Sequence, residues 1–185
     1  CSGKHAAMLA TCVAAGWPVE GYLDRDHPLQ RAVEERLGEA AGEPVSAVVV
    51  DGCGAPQHAL SPTGLARGVL SLVQAEPGSP GRAVADAMRA EPWFVAGTGR
   101  EDTTLMQAVP GLLVKGGADG VHVAAVPGAG AVALKLDDGG DRGRMPALAA
   151  GLQGRYLPMH KALLSMRGRA EEASVLRVAR QVGLD

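Results

Sequence analysis

Aromatic side chains are scarce in this 185-residue sequence, which has one Phe, two Tyr and two Trp. A base-stacking surface needs more of them, and a formal net charge of -2 offers no basic footprint for phosphate, so nucleic acid is not an expected partner. No apolar run approaches the roughly 18 residues that span a bilayer, and no charged, apolar and small-residue signal segment opens the chain, so no membrane role is expected. Cysteine is also rare. Cys1, Cys12 and Cys53 are an odd and small set. They argue against a disulfide framework and for a reducing compartment, the cytoplasm, where thiols serve metal binding, catalysis or packing. What is present is ordinary: 46% hydrophobic and 21% charged residues with no long like-charge run, the composition of a soluble globular protein.

The length suits one sizeable core, so residues 1–185 are expected to form a single domain. Residues 3–15 predict a helix with apolar side chains dense enough to be buried on most sides, closed by Gly16, Trp17 and Pro18. An amphipathic helix follows over 28–41, with Leu29, Val33 and Leu37 at four-residue spacing. The β-branched run 45–50 predicts a buried strand that empties into the tight segment 51–56. Further helices are expected over 61–74 and 81–90, the second broken by Pro92, then a loop over 96–100 and a short helix over 102–108. Strands over 112–115, 121–126 and 131–136, separated by Gly-rich turns, read as an antiparallel meander. Helices over 141–153 and 171–182 complete the chain. This order fits an α+β fold, an antiparallel sheet with helices packed on its faces, better than a βαβ array.

Cys1 and Lys4 stand three apart at a helix start, so one turn brings them to the same face. The helix N-terminus disfavours an ammonium there and helps to depress the Lys4 pKa. Cys53 lies on a Gly-flanked turn at a strand exit, a geometry that presents a thiol rather than buries it. Cys12, on an alanine-rich helix, reads as a small buried hydrophobe. His5 is a rival metal ligand beside Cys1, whereas His58 and His122 carry no assignment. The first residue, Cys1, admits two further readings. It could be an N-terminal nucleophile of an amidase, its α-amino group acting as base. It could also be the acylated residue of a lipidated or zinc-binding protein with no enzymatic role.

Five blocks decide among these readings: Cys1-Ser2-Gly3-Lys4-His5, Asp51-Gly52-Cys53-Gly54-Ala55-Pro56, Val95-Ala96-Gly97-Thr98-Gly99-Arg100, Leu113-Val114-Lys115-Gly116-Gly117-Ala118-Asp119-Gly120-Val121 and Ala133-Leu134-Lys135-Leu136-Asp137-Asp138-Gly139. In that order they resemble the signature blocks of the L-asparaginase II family, within the serine-β-lactamase-like (glutaminase-like) superfamily. The resemblance covers residues 1 to about 150 and weakens over the last 35, and Asp119 stands where the family usually has Glu.

The resemblance implies hydrolysis of L-asparagine to L-aspartate and ammonia through a serine acyl-enzyme. It implies zinc held by two cysteines and a deprotonated lysine, at Cys1, Cys53 and Lys4, with a water as fourth ligand. Thiolates suit zinc, and a lysine of reference pKa about 10.4 loses its proton more readily beside a divalent cation. Asp51 matches the carboxylate that orients the substrate's α-ammonium. Lys115, with Gly116 beside it for close backbone approach, resembles the strand lysine of a K-T-G element that shuttles protons, and Arg100 is a candidate carboxylate clamp. No serine of the sequence is followed three residues later by lysine, so the family's S-x-x-K nucleophile has no counterpart here. The chain is therefore expected to be the C-terminal part of a larger asparaginase fold, inactive alone, with its nucleophile upstream. Pairing as a homodimer is a further expectation from the family.

Overall fold

The computed structural model describes residues 1–154 together with Arg177 and Arg180. The helix expected over 171–182 lies outside the described residues except at those two positions. The described chain is α+β, with seven helices and two small antiparallel sheets. It groups into two compact units, Cys1–Gly64 and Leu65–Asp185.

The first unit opens with α1 (Ser2–Ala15), which ends where Gly16 and Trp17 turn back to bond the carbonyls of Val13 and Cys12. Helix α2 (Pro28–Ala41) starts with proline in its first turn, where a missing N–H costs nothing. His27 caps it: Nδ1 accepts from the Leu29 amide at 3.1 Å, so Nε2 carries the hydrogen and donates to the Pro18 carbonyl at 2.9 Å. Strands β1 (Ala47–Val50) and β2 (Pro56–Ala59) then form an antiparallel hairpin, with Val50 opposite Pro56. Ser61 caps α3 (Pro62–Gln74) through the Gly64 amide, and the Glu43 carboxylate holds Ser61 by both its amide and its hydroxyl.

Two expectations fail in this unit. Helix α1 buries only Cys12 fully, and Val13 is 72% exposed. Alanine favours helix by propensity as well as by burial, so apolar density without a stripe does not report depth. The run leading into β1 is likewise not a buried strand, because Val49 and Val50 are 58% and 76% exposed. β-Branched side chains suit any pleated surface, and this strand has one sheet neighbour rather than two.

In the second unit α4 (Pro80–Ala90) is capped by Ser79, whose hydroxyl accepts from the Arg82 amide. Pro92 does not simply break the chain: it occupies the first turn of α5 (Pro92–Ala96), so Ala96 belongs to a helix rather than to the expected loop. After α6 (Glu101–Ala108) come β3 (Leu113–Gly116), β4 (Val121–Val126) and β5 (Gly130–Lys135), paired as the expected antiparallel meander. Helix α7 (Arg144–Leu152) follows.

The β3–β4 turn explains the departure at Asp119. Asp119 and Gly120, the central residues of the turn that Val121 N–H closes on the Ala118 carbonyl, both have positive φ, 51° and 72°. The short Asp side chain tolerates that region better than Glu does. A Cβ at Gly120 would also meet the Leu136 Cβ at 2.9 Å.

Helices cover both faces of this sheet. Val114 and Ala124, cross-strand partners, pack with Leu112 against Met106 of α6 and Leu148 of α7. Leu113 and Ala125, the next pair, pack against Val73 of α3 and Ala85 of α4. Each large aliphatic side chain buried this way stabilises the unit by roughly 1.5–3 kcal/mol. Strand β4 has apolar neighbours above, below and on both edges, and so it forms a firm base for what lies at the end of β3.

Candidate functional site

In the first unit, the helix start and the hairpin turn bring four candidate side chains together. The turn between β1 and β2 closes with Asp51 N–H on the Ala55 carbonyl and Gly54 N–H on the Asp51 carbonyl, both at 2.8 Å. That fold-back places the Asp51 carboxylate 2.7 Å from Lys4 Nζ in the first turn of α1. Both side chains remain partly solvated, so the pair contributes little to stability. The bond to Asp51 raises the Lys4 pKa, with a smaller push from Cys53 and opposition from burial. The Asp51 carboxyl is lowered by Lys4 first and by the Gly52 amide second. The direction at Lys4 is the opposite of the one that the helix N-terminus alone would give, because a carboxylate in contact outweighs a partial charge at the helix end.

Cys53 faces the same cluster. The Ala55 amide, then His5, then Lys4 hold its thiol below the usual thiol range, against the effects of burial and of the Asp51 charge. His5 is itself fixed by Tyr22: Nδ1 and the phenol oxygen are 2.7 Å apart, and the rings meet edge to face. The structure therefore brings Lys4, Asp51 and Cys53 together and adds His5. Cys1 is exposed at the N-cap of α1, one turn along from Lys4 and His5. Cys12 is buried and takes no part.

Among the described residues, no three His, Cys, Asp or Glu side chains converge as a metal cage. Beside the thiols, the Lys4 nitrogen is a further donor in this cluster. The donor chemistry fits: a thiol already biased toward thiolate stands within hydrogen-bond reach of that amine, and a second thiol lies one turn away on the same helix.

The second unit holds a cleft of about 170 Å³, lined among others by Arg100, Glu101, Asp102, Lys115, Gly116 and Arg144. Three of these, Arg100, Lys115 and Gly116, are residues singled out by the sequence. Lys115 Nζ, exposed at the end of β3, donates to the Gly116 carbonyl. Arg144 is buried to 9% side-chain exposure and pairs with Asp141 at 3.1 Å and Glu101 at 3.5 Å, while its Nε has no partner among the described residues.

The chain matches the L-asparaginase II family over residues 1–183. It belongs to that family. No curated protein matches it. Membership makes this L-asparaginase II chain an asparaginase-type amidohydrolase acting on a small molecule, and the α+β architecture agrees with the family. No described helix is long and apolar enough to cross a membrane.

Sequence reasoning missed Asp102, His122 and Arg144 in this asparaginase. Asp102 Oδ2 accepts from the Gly116 amide at 2.7 Å, and Oδ1 lies 2.7 Å from Nε2 of the fully buried His122. The usable signal was the sheet register, which sets His122 opposite Gly116. It becomes legible only once three residues, 118–120, are counted between Gly117 and Val121, whose N–H and carbonyl bond across the turn at 2.8 Å.

Burial is the largest single influence on Asp102 and opposes its ionisation. The bonds from His122 and Gly116, with the charges of His122 and Lys115, together outweigh it and lower the carboxyl below its ordinary range. A carboxyl with a folded pKa below its unfolded value stabilises the fold above the unfolded pKa, and that stability is lost as pH falls through the folded one. Thermal midpoints recorded between about pH 6 and pH 2 should therefore fall more steeply for the wild type than for Asp102→Asn at the acid end. Parallel curves would show that Asp102 contributes nothing to acid sensitivity.

Proposed function

We propose that this chain serves hydrolysis of L-asparagine to L-aspartate and ammonia, with zinc held by Cys1, Lys4 and Cys53. The observation that carries the reading is the convergence of Lys4, Asp51 and Cys53 on one turn, in a chain of the L-asparaginase II family. Held by Cys1, Lys4 and Cys53, zinc would supply a fixed positive charge in that cluster. Asp51 is the carboxylate that would accept from the α-ammonium of the substrate, a charge-assisted bond.

In the second unit we assign Arg100 to a carboxylate and Gly116 to close backbone approach to the substrate. Lys115 moves protons. Chemically, a serine oxygen adds to the side-chain amide carbon, the C–N bond breaks and ammonia leaves with a proton. Water then cleaves the ester to give aspartate and regenerate the serine. We place that serine outside residues 1–185, in a larger asparaginase fold of which this is the C-terminal part, because no S-x-x-K spacing occurs in the sequence.

The reading predicts that residues 1–185 alone, supplied with zinc, release no ammonia from L-asparagine above background. The protein extended to include the serine region should turn asparagine over. An enzyme-coupled ammonia assay on the two preparations checks this, and sustained turnover by the 185 residues alone would overturn the placement of the nucleophile.

A further inference from the structure

We propose that Asp102 and His122 form a buried pair that positions Lys115, with Asp102 gripping the end of β3 through the Gly116 amide and His122 fixing Asp102. The inference rests on the reading of Lys115 as a proton carrier.

Three elements meet at this point. Asp102 comes from the first turn of α6, where the helix end favours a carboxylate. Gly116 is the last residue of β3, directly after Lys115, and His122 faces it from β4. Both carboxylate oxygens are engaged, one by Gly116 N–H and one by His122 Nε2, each at 2.7 Å. A carboxylate only accepts, so the ring nitrogen facing it bears the hydrogen. Among the described residues His122 Nδ1 has no partner, and the ring is wholly buried. Asp102 is therefore clamped in one orientation and holds the strand end in turn. A Cβ at Gly116 would lie 3.4 Å from Asp102 Oδ2 and 3.5 Å from an Arg144 terminal nitrogen, so glycine leaves the strand edge bare to both groups.

Stability alone does not call for such a pair. Apolar residues of like volume generally hold a buried position at least as well as charged or polar ones, which carry a desolvation cost. The pair gives direction instead. Lys115 is exposed on an edge strand of the sheet, one residue before the end of β3, and among the described residues its amine bonds the next carbonyl. Pinning the adjacent amide fixes the backbone from which Lys115 extends. Asp102 makes no hydrogen bond to Lys115, so it acts through Gly116 and through its charge.

The test is a mutant cycle in the active full-length, zinc-loaded enzyme, with kcat and KM for asparagine measured separately. Asp102→Asn should lower kcat about 10–100-fold with KM nearly unchanged, the scale expected when a catalytic group is displaced by about 1 Å. Asp102→Asn/Lys115→Met should be no slower than Lys115→Met within about threefold, because two residues in one chain of action are not additive. His122→Leu should match Asp102→Asn and gives the same comparison should that variant not fold. His122→Gln, which keeps a donor toward Asp102, should be at least about tenfold faster than His122→Leu, a rescue that volume alone does not produce. Undiminished turnover by Lys115→Met overturns the role of Lys115 and the pair's role with it. Loss of turnover in Lys115→Met beside an unimpaired kcat in Asp102→Asn, or a further additive loss in the double variant, overturns the pair alone.

Discussion

Lys115→Met is expected to lower kcat for ammonia release by about 10²–10⁴-fold in the full-length enzyme, the range supplied by one positioned proton carrier. The substitution preserves length and apolar stem and removes only the amine. Lys115 is exposed at the end of β3 and packs into neither apolar cluster, so the thermal midpoint should barely move. A large kinetic loss with unchanged stability separates chemistry from folding. Equal losses in kcat and kcat/KM would mean that the amine acts only in the transition state, whereas a rise in KM alone would make Lys115 a binding residue.

The second large effect is expected at Cys53. Cys53→Ser should weaken zinc binding by more than about 100-fold, since loss of a mere supporting partner already costs 10–100-fold. Metal content after dialysis against a weak chelator measures it. Ser is nearly isosteric, and Cys53 lies on a solvated turn rather than in a core, so the fold should persist. Cys12→Ser is the informative control: that thiol is fully buried in α1, and its replacement should lower stability while leaving the zinc content intact.

Much of the fold was legible because it rests on local punctuation. Gly16 and Gly42 stop α1 and α2, Ser61-Pro62 starts α3, and the glycines between the last three strands announce the meander. Strand β2 was not legible: Pro-Gln-His-Ala has neither alternation nor a β-branched residue, and it is a strand only because β1 pairs with it. Pro92 reads as a break in one dimension, yet it begins α5, since proline ends one helix and starts another by the same missing N–H.

The candidate site divides in the same way. Lys4, Asp51 and Cys53 were singled out through short blocks that resemble the L-asparaginase II family, and each block proves to be a helix start or a turn. Asp102 and His122 were not, because their 2.7 Å contact joins residues 20 apart through a strand register, with no local signal at either position.

The central claim is that two thiolates and the Lys4 amine share one zinc ion. X-ray absorption at the zinc edge on the metal-loaded protein tests it most directly. The account predicts one zinc per chain with two sulfur neighbours and the remainder nitrogen or oxygen, falling to one sulfur in whatever metal Cys53→Ser retains. A zinc ion with nitrogen and oxygen neighbours alone, or a sulfur count unchanged by Cys53→Ser, would contradict it.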